Sequence, residues 1–289
     1  MRLHRIDQWG IAVDDWTRWM IAAAFRPQTI ERRRYYLRRL AAVYLDRSPW
    51  RLSTEDLAAW MGAQTWAPAT RKMARNSLRS FYRWARTTGR IRRDPAAELP
   101  AVTPPRAKPK PVPEKVLECA LRTATDRDRL ILLLGAYAGL RRGEVAALRW
   151  DSITEAGHIH VDGKGGHWRV VPLHPVLAEA LAQERRRRDI GGFGTGYRYI
   201  AGVNGPWVFP GQAPGQPMSA GAVGRIAANL LGGEWHSHTL RHRFATAFHR
   251  VNPDMRALQQ LLGHAKLETT AGYTEITFED LEKVVRAIE

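Results

Sequence analysis

The stretch HTLRHRFATAFHR, residues 238 to 250, sets His238 and Arg241 three apart at the start of a segment with helical spacing. Residues three apart share a helix face, so an imidazole and a guanidinium stand where each disfavours a cationic neighbour. Two donors on one face suit an anion. Other polar groups fall where the chain breaks regular structure. Arg141 follows AYAGL, in which Gly139 can end one helix, and Glu144 sits early in the next, so Arg141 lies at a helix N-terminus. Lys164 occupies the glycine-flanked turn GKGG, His264 follows the helix-ending Gly263, and Tyr273 comes nine residues later in AKLETTAGYTE.

Each of these has an ordinary structural reading when taken alone. A hairpin lysine is usually solvated, a histidine after a capping glycine can satisfy carbonyls, and a tyrosine near a C-terminus usually packs. In order, however, GLRRGE, GKGG before RVVPL, HTLRHRFAT, LLGH and YTE resemble the tyrosine recombinase (phage integrase) family over residues 112 to 289. Gly143 stands where that family often carries serine. The resemblance implies that Arg141 and Arg241 are the paired arginines, with Glu144 in support. It makes Lys164 the hairpin lysine, His238 and His264 the two histidines, and Tyr273 the nucleophile, with neither a metal nor a cofactor. It also implies the minimal two-domain form, without an arm-binding domain.

The chemistry needs these residue types. In-line attack on a phosphodiester gathers negative charge on the non-bridging oxygens, so fixed donors and an acid for the leaving oxygen matter most. Arginine supplies a bidentate, permanently charged fork that lysine cannot match. A phenol with an ordinary pKa near 10 is a poor nucleophile, but neighbouring cations favour the phenolate. Lys164 suits proton donation to the 5′ oxygen, and His238 suits proton acceptance from the phenol. The family mechanism leaves a 3′-phosphotyrosine and a 5′ hydroxyl, and resealing needs no ATP.

Composition agrees with such a substrate. The 289 residues carry 45 Lys and Arg against 28 Asp and Glu, a net charge of +17, which points to a polyanionic partner. The N-terminus lacks an apolar run of signal length, and no segment reads as a membrane span, so a soluble intracellular protein is expected. The one cysteine, Cys119, excludes an internal disulfide and is expected as a small core residue.

The positioning elements follow from periodicity. Residues 1–95 read as an all-helical, core-type DNA-binding domain, with helices recognised from residue 14 to residue 90. Ile30, Leu37, Leu40, Ala41 and Tyr44 fall on one face of TIERRRYYLRRLAAVYL, and Ser53 with Asp56 caps STEDLAAWM. The basic helix ATRKMARNSLRSFYRWART, ending near Gly89, offers Arg71, Lys72, Arg75 and Arg79 to DNA. Residues 96–112 read as a proline-rich linker whose Arg106, Lys108 and Lys110 could follow the backbone. Residues 113–289 read as a mixed α/β catalytic domain with helices EKVLECALRTA, DRLILLLGAYAG and GEVAALRW, then a hairpin over HIHVDGKGGHWRVVPL, a loop from 191 to 217 and a tail helix over 278–289. The fold class is thus mostly α with one small hairpin. Leu281, Val284, Val285 and Ile288 form an apolar stripe on the tail, which must dock on its own domain or on a neighbour, and the family resemblance favours the neighbour.

The expected partners are a double-stranded DNA attachment or core site and a homotetramer on paired sites, closed by exchange of the tail, with a directionality factor as a further candidate. The expected location is the nucleoid in the cytoplasm of a bacterial host. A phage or mobile-element integrase is the favoured role, with an Xer-like chromosome-dimer resolvase as the alternative. Other readings are a non-catalytic DNA-binding regulator, a type IB topoisomerase, and a zinc hydrolase built on His236, His238 and His242, which lacks a glutamate between His238 and His242.

Overall fold

A computed structural model describes residues 7–105, 109–162, 168–189, 205–263 and 278–288. Contacts divide the chain into a unit over 1–107 and a unit over 108–289. Each is built around its own core.

The first unit comprises α1 (Gln8–Ala22), α2 (Pro27–Val43), α3 (Thr54–Gly62) and α4 (Pro68–Thr87). Helix α1 starts earlier than its apolar pattern suggests, because the Asp7 carboxylate accepts from the Gly10 amide and caps it. Ser53 and Asp56 form the reciprocal capping box of α3, and Arg47 holds Asp56 with two bonds of 2.7 Å. The core is aromatic. Trp16 meets Phe81 edge-on at 5.3 Å and Trp50 stacks on Phe81 at 5.7 Å.

Ala96 and Leu99 are buried in this same core. Thr54 Oγ1 donates to the Pro95 carbonyl at 2.9 Å, while Arg75 donates to the Leu99 carbonyl from Nε and Nη2. The extended stretch expected from residue 96 therefore begins only after Leu99. Proline density marks where helices stop; it does not reveal that the chain still packs.

The second unit contains α5 (Glu114–Thr123), α6 (Asp126–Tyr137), α7 (Arg142–Ala146), β1 (His158–Asp162), β2 (Trp168–Pro172), α8 (Pro175–Asp189), α9 (Ala220–Leu231), α10 (Ser237–Val251), α11 (Met255–Leu262) and α12 (Phe278–Arg286). Every residue of α6 from Leu130 to Ala136 is buried, which makes it the central helix. The two strands pair antiparallel from His158 opposite Pro172 to Asp162 opposite Trp168. The mostly helical class with one hairpin is what the sequence predicts.

Two expectations are corrected here. Cys119 is exposed, not core. Leu117 and Ala120 define the buried face of α5, and Cys119 falls on the other side of that turn. Helix α7 stops at Ala146 instead of running to Trp150, because Leu148–Trp150 pairs with 206–208: Trp150 N donates to Pro206 O and Val208 N to Leu148 O, both at 2.9 Å. The described part of the 191–217 loop is accordingly ordered by pairing. Helix α12, for which the sequence leaves docking on its own domain or on a neighbour open, lies on its own domain in this single chain. Leu281, Val285 and Ile288 are buried with Phe244, Phe248, Leu258, Leu261 and Leu262, so α10 and α11 supply an apolar groove for it. Glu282 meets His158 at 2.9 Å, and His174 Nε2 bonds the Ile288 carbonyl at 2.7 Å.

Among the described residues no helix is long and apolar enough to cross a membrane.

Candidate active site

Gly139 closes α6 with φ of +62°, a left-handed conformation that favours glycine. It is required for space as well, since a Cβ there would lie 2.6 Å from Phe244 Cδ1. The turn it makes brings Arg141 into the N-cap position of α7 with extended backbone. There Glu144, in the first turn, accepts from the Arg141 amide and from Arg141 Nη1, each at 2.8 Å. The Arg141 side chain stays 42% exposed. This is a guanidinium aimed by its own helix turn and left open on its outer side.

Helix α10 delivers the second arginine. Leu240, Phe244 and Phe248 bury one face of it, and Arg241 is carried inward with them to 4% side-chain exposure. Arg241 Nη1 donates to the Gly139 carbonyl at 2.6 Å and Nη2 to the Leu262 carbonyl at 2.5 Å, tying together the ends of α6 and α11. Each terminal nitrogen carries a second N–H, so the fork retains donors for an anion. Burial, then the charge of Arg141, pushes Arg241 down to about 9, which leaves it cationic at neutral pH.

Glu144 binds a further arginine that sequence reasoning missed. Arg169, on β2, donates Nη1 to Oε1 at 3.0 Å and Nη2 to Oε2 at 2.8 Å, while Arg241 Nη1 stands 3.8 Å from Oε2. Burial alone would raise the Glu144 carboxyl; the bonds and charge of Arg169, then the bonds from Arg141, hold it below the usual carboxylate range. A buried carboxylate costs several kcal/mol unless paired in this way. The signal was present in the sequence: β2 alternates, and Arg169 shares the buried face with Val171.

His238 lies one turn before the inward arginine and is exposed. Burial of part of the ring, then the charges of His242, Arg241, His236 and Arg141, lowers its pKa, so it is neutral at physiological pH and can accept a proton. His242 meets the His238 ring edge-on at 4.5 Å, and its Nδ1 accepts from the Lys110 amide at 3.3 Å. These rings are arranged edge to face, and no group of three His, Cys, Asp or Glu that could hold a metal occurs among the described residues. Lys110 also pairs with Glu234 and lies over Trp235, so this residue is engaged at the start of α10.

Arg141, Glu144, His238 and Arg241 are thus gathered at one place. Lys164, His264 and Tyr273 lie outside the described residues, as do Arg106 and Lys108. Their flanks are described. Residues 163–167 join the paired ends Asp162 and Trp168, and Gly263, with φ of +61°, caps α11 immediately before His264.

In the first unit the basic residues of α4 divide. Arg71 donates to the carbonyls of Met61 and Gln64 and Arg75 to that of Leu99, so both stitch the fold together. Lys72 is exposed. Arg79 joins Arg33 and Arg83 around a cavity of about 430 Å³ that is also walled by Trp19, Phe25 and Trp84. Among the described residues none of these three arginines has an ion-pair partner.

Comparison with known proteins identifies the family. The phage integrase family matches residues 112–280. Tyrosine recombinase XerC of Xanthomonas campestris pv. campestris (strain B100) is 34% identical over 231 residues, which span 76% of this chain and 68% of that protein. Tyrosine recombinase XerC of Xylella fastidiosa (strain M23) is 35% identical over 223 residues, 73% and 71% of the two chains. Among solved structures, a lambda integrase (75-356) dimer bound to a COC′ core site shares the fold with a TM-score of 0.69 at 18% identity, over 93% of this chain and 99% of that one. The chain belongs to the phage integrase family of tyrosine recombinases and is a site-specific DNA recombinase.

Proposed function

We propose that this recombinase is a phage or mobile-element integrase in which Tyr273 attacks a DNA phosphate held by Arg141 and Arg241. The observation that carries this reading is the fixed arginine pair. One guanidinium is exposed and bonded to Glu144, one is buried and bonded to the Gly139 and Leu262 carbonyls, and a neutral histidine lies beside them. The forks take up charge on the non-bridging oxygens. His238 accepts the phenolic proton as the Tyr273 oxygen bonds to phosphorus. The bond from phosphorus to the 5′ oxygen breaks, and that oxygen receives a proton from Lys164, leaving a 3′-phosphotyrosine. Attack by a second strand's 5′ hydroxyl reverses these steps and frees the tyrosine. His264 adds a hydrogen bond to the phosphate.

Residues 1–95 serve as the core-type DNA-binding domain and residues 113–289 as the catalytic domain, on the two sides of a basic linker that lies along the DNA. Within the first domain, Lys72 and Arg33, Arg79 and Arg83, which have no ion-pair partner among the described residues, are among the groups left to meet phosphates; Arg71 and Arg75 are spent on the fold. The enzyme works on the bacterial nucleoid as a tetramer on paired sites, where α12 leaves its own groove for that of a neighbour. A directionality factor would bias the outcome.

The identity to XerC proteins favours a second reading, a chromosome-dimer resolvase. Trapping covalent complexes on fragmented host and element DNA, then sequencing the bound fragments, separates the two. Recovery of an element's attachment sites supports integration, while recovery of a single chromosomal site supports resolution. Absence of any covalent complex counts against both.

A further inference from the structure

Arg169 touches three parts of the site at once. Its guanidinium grips both oxygens of Glu144, which binds Arg141 and faces Arg241 at 3.8 Å. Its backbone sits in β2 opposite Val161, one pair below Asp162 and Trp168, whose connection carries Lys164. Its stem packs on Gly263, where an added Cβ would come within 3.0 Å of Arg169 Cδ, and Gly263 directly precedes His264. The side chain is only 5% exposed, and both of its terminal nitrogens are bonded to Glu144.

We propose that Arg169 is a positioning residue of this enzyme, setting the hairpin that bears Lys164 and the turn that precedes His264 against Glu144 and the arginine pair beside it. The inference rests on the catalytic reading given above. Its logic is geometric. Three segments distant in sequence must present their groups to one phosphate, and a misplacement of about 1 Å costs roughly 10²-fold in rate. A planar fork bonded to both oxygens of a carboxylate fixes orientation as well as distance, which a lysine ammonium cannot do. Arg169 also keeps Glu144 ionised. The charged groups facing that carboxylate are Arg141 from the α7 N-cap, Arg169 from β2 and Arg241 from α10. With Arg169 gone, burial raises the Glu144 carboxyl, and its protonation as pH falls removes the charge that pairs with Arg141 and faces Arg241.

The test compares Arg169→Lys, Arg169→Met, Glu144→Gln and the double variant Glu144→Gln with Arg169→Met in the full chain. Single-turnover cleavage of a nicked duplex is followed across pH, together with half-site binding and thermal stability. Arg169→Lys is expected to cleave roughly 10²-fold more slowly with half-site binding retained. In Arg169→Met the acid limb of the rate profile moves to higher pH, and the double variant is no slower than the slower single variant. A purely structural role would leave the acid limb where it is. If Arg169→Met does not fold, Arg169→Lys and the charge-neutral double variant carry the comparison. Wild-type cleavage by Arg169→Lys, an unmoved acid limb, or losses that simply multiply in the double variant would overturn the proposal. Failure of the wild type to form an adduct at Tyr273 would instead overturn the catalytic reading beneath it.

Discussion

Arg241 donates from Nη1 to the carbonyl of Gly139 at 2.6 Å, so the buried arginine of α10 is fixed by the turn that presents Arg141. The two arginines are one construction, and the turn demands glycine. Gly139→Ala places a side chain at φ of +62° and 2.6 Å from Phe244. We expect a loss of about 2–4 kcal/mol, summing left-handed strain and overpacking, visible in urea unfolding. Arg241→Lys should lower strand cleavage roughly 10²- to 10³-fold on a nicked duplex, since one ammonium cannot hold two carbonyls and a phosphate. Wild-type cleavage by Arg241→Lys would contradict its role.

Lys164 should fail in a different way. A substrate with sulfur in place of the bridging 5′ oxygen needs no proton on its leaving group. Lys164→Ala should therefore cleave it almost as fast as the wild type does, while remaining slow on the ordinary phosphodiester. Equal impairment on both substrates would deny Lys164 the acid role.

The division of α4 can be read from salt dependence. Each neutralised phosphate contributes roughly 0.9 to the logarithmic slope of binding against salt. Arg79→Ala and Arg83→Ala should each flatten that slope by about this amount and leave stability alone. Arg75→Ala should do the reverse, costing about 1–3 kcal/mol because the buried Leu99 carbonyl loses its donors. If Arg75→Ala flattens the slope as much as Arg83→Ala does, the assignment of these faces is wrong.

Much of this was legible in the sequence, and the exceptions share a cause. Periodicity identifies which face of a segment is buried, so the α10 core residues Leu240, Phe244 and Phe248 and the α3 cap of Ser53 and Asp56 stand where the pattern puts them. It does not identify partners. Arg71, Arg75 and Arg79 look alike on a basic helix, yet two of them turn to carbonyls of their own unit. The pairing of Leu148–Trp150 with 206–208, and the meeting of Arg169 with Glu144, join segments whose local sequences carry no sign of each other. Arg141, Glu144, His238 and Arg241 could be grouped from the sequence because that grouping depends on residue type and order. How Glu144 and Arg169 hold that set together depends on tertiary contact.

Tail docking should depend on pH through His174. Burial lowers its pKa, opposed by the bond to the Ile288 carbonyl and reinforced by the charge of Arg243. Its Nδ1 accepts from the Val176 amide at 3.2 Å, a bond that protonation removes. The folded value lies below the unfolded one of about 6.5, so this stability is fully present above about pH 6.5 and is lost as pH falls through the folded value. Urea unfolding of the wild type should weaken between about pH 7.5 and 5.5, and His174→Gln should weaken less over the same interval. Identical losses in the two proteins would remove His174 from the account.

The central claim is that Tyr273 is the residue that becomes joined to DNA. The direct measurement is to trap the covalent complex on a nicked duplex, digest it, and identify by mass spectrometry the peptide that carries the nucleotide, with Tyr273→Phe run in parallel. We predict modification at Tyr273 in the wild type, and in Tyr273→Phe no adduct with duplex binding retained. An adduct on any other residue, or one that survives in Tyr273→Phe, would contradict the account.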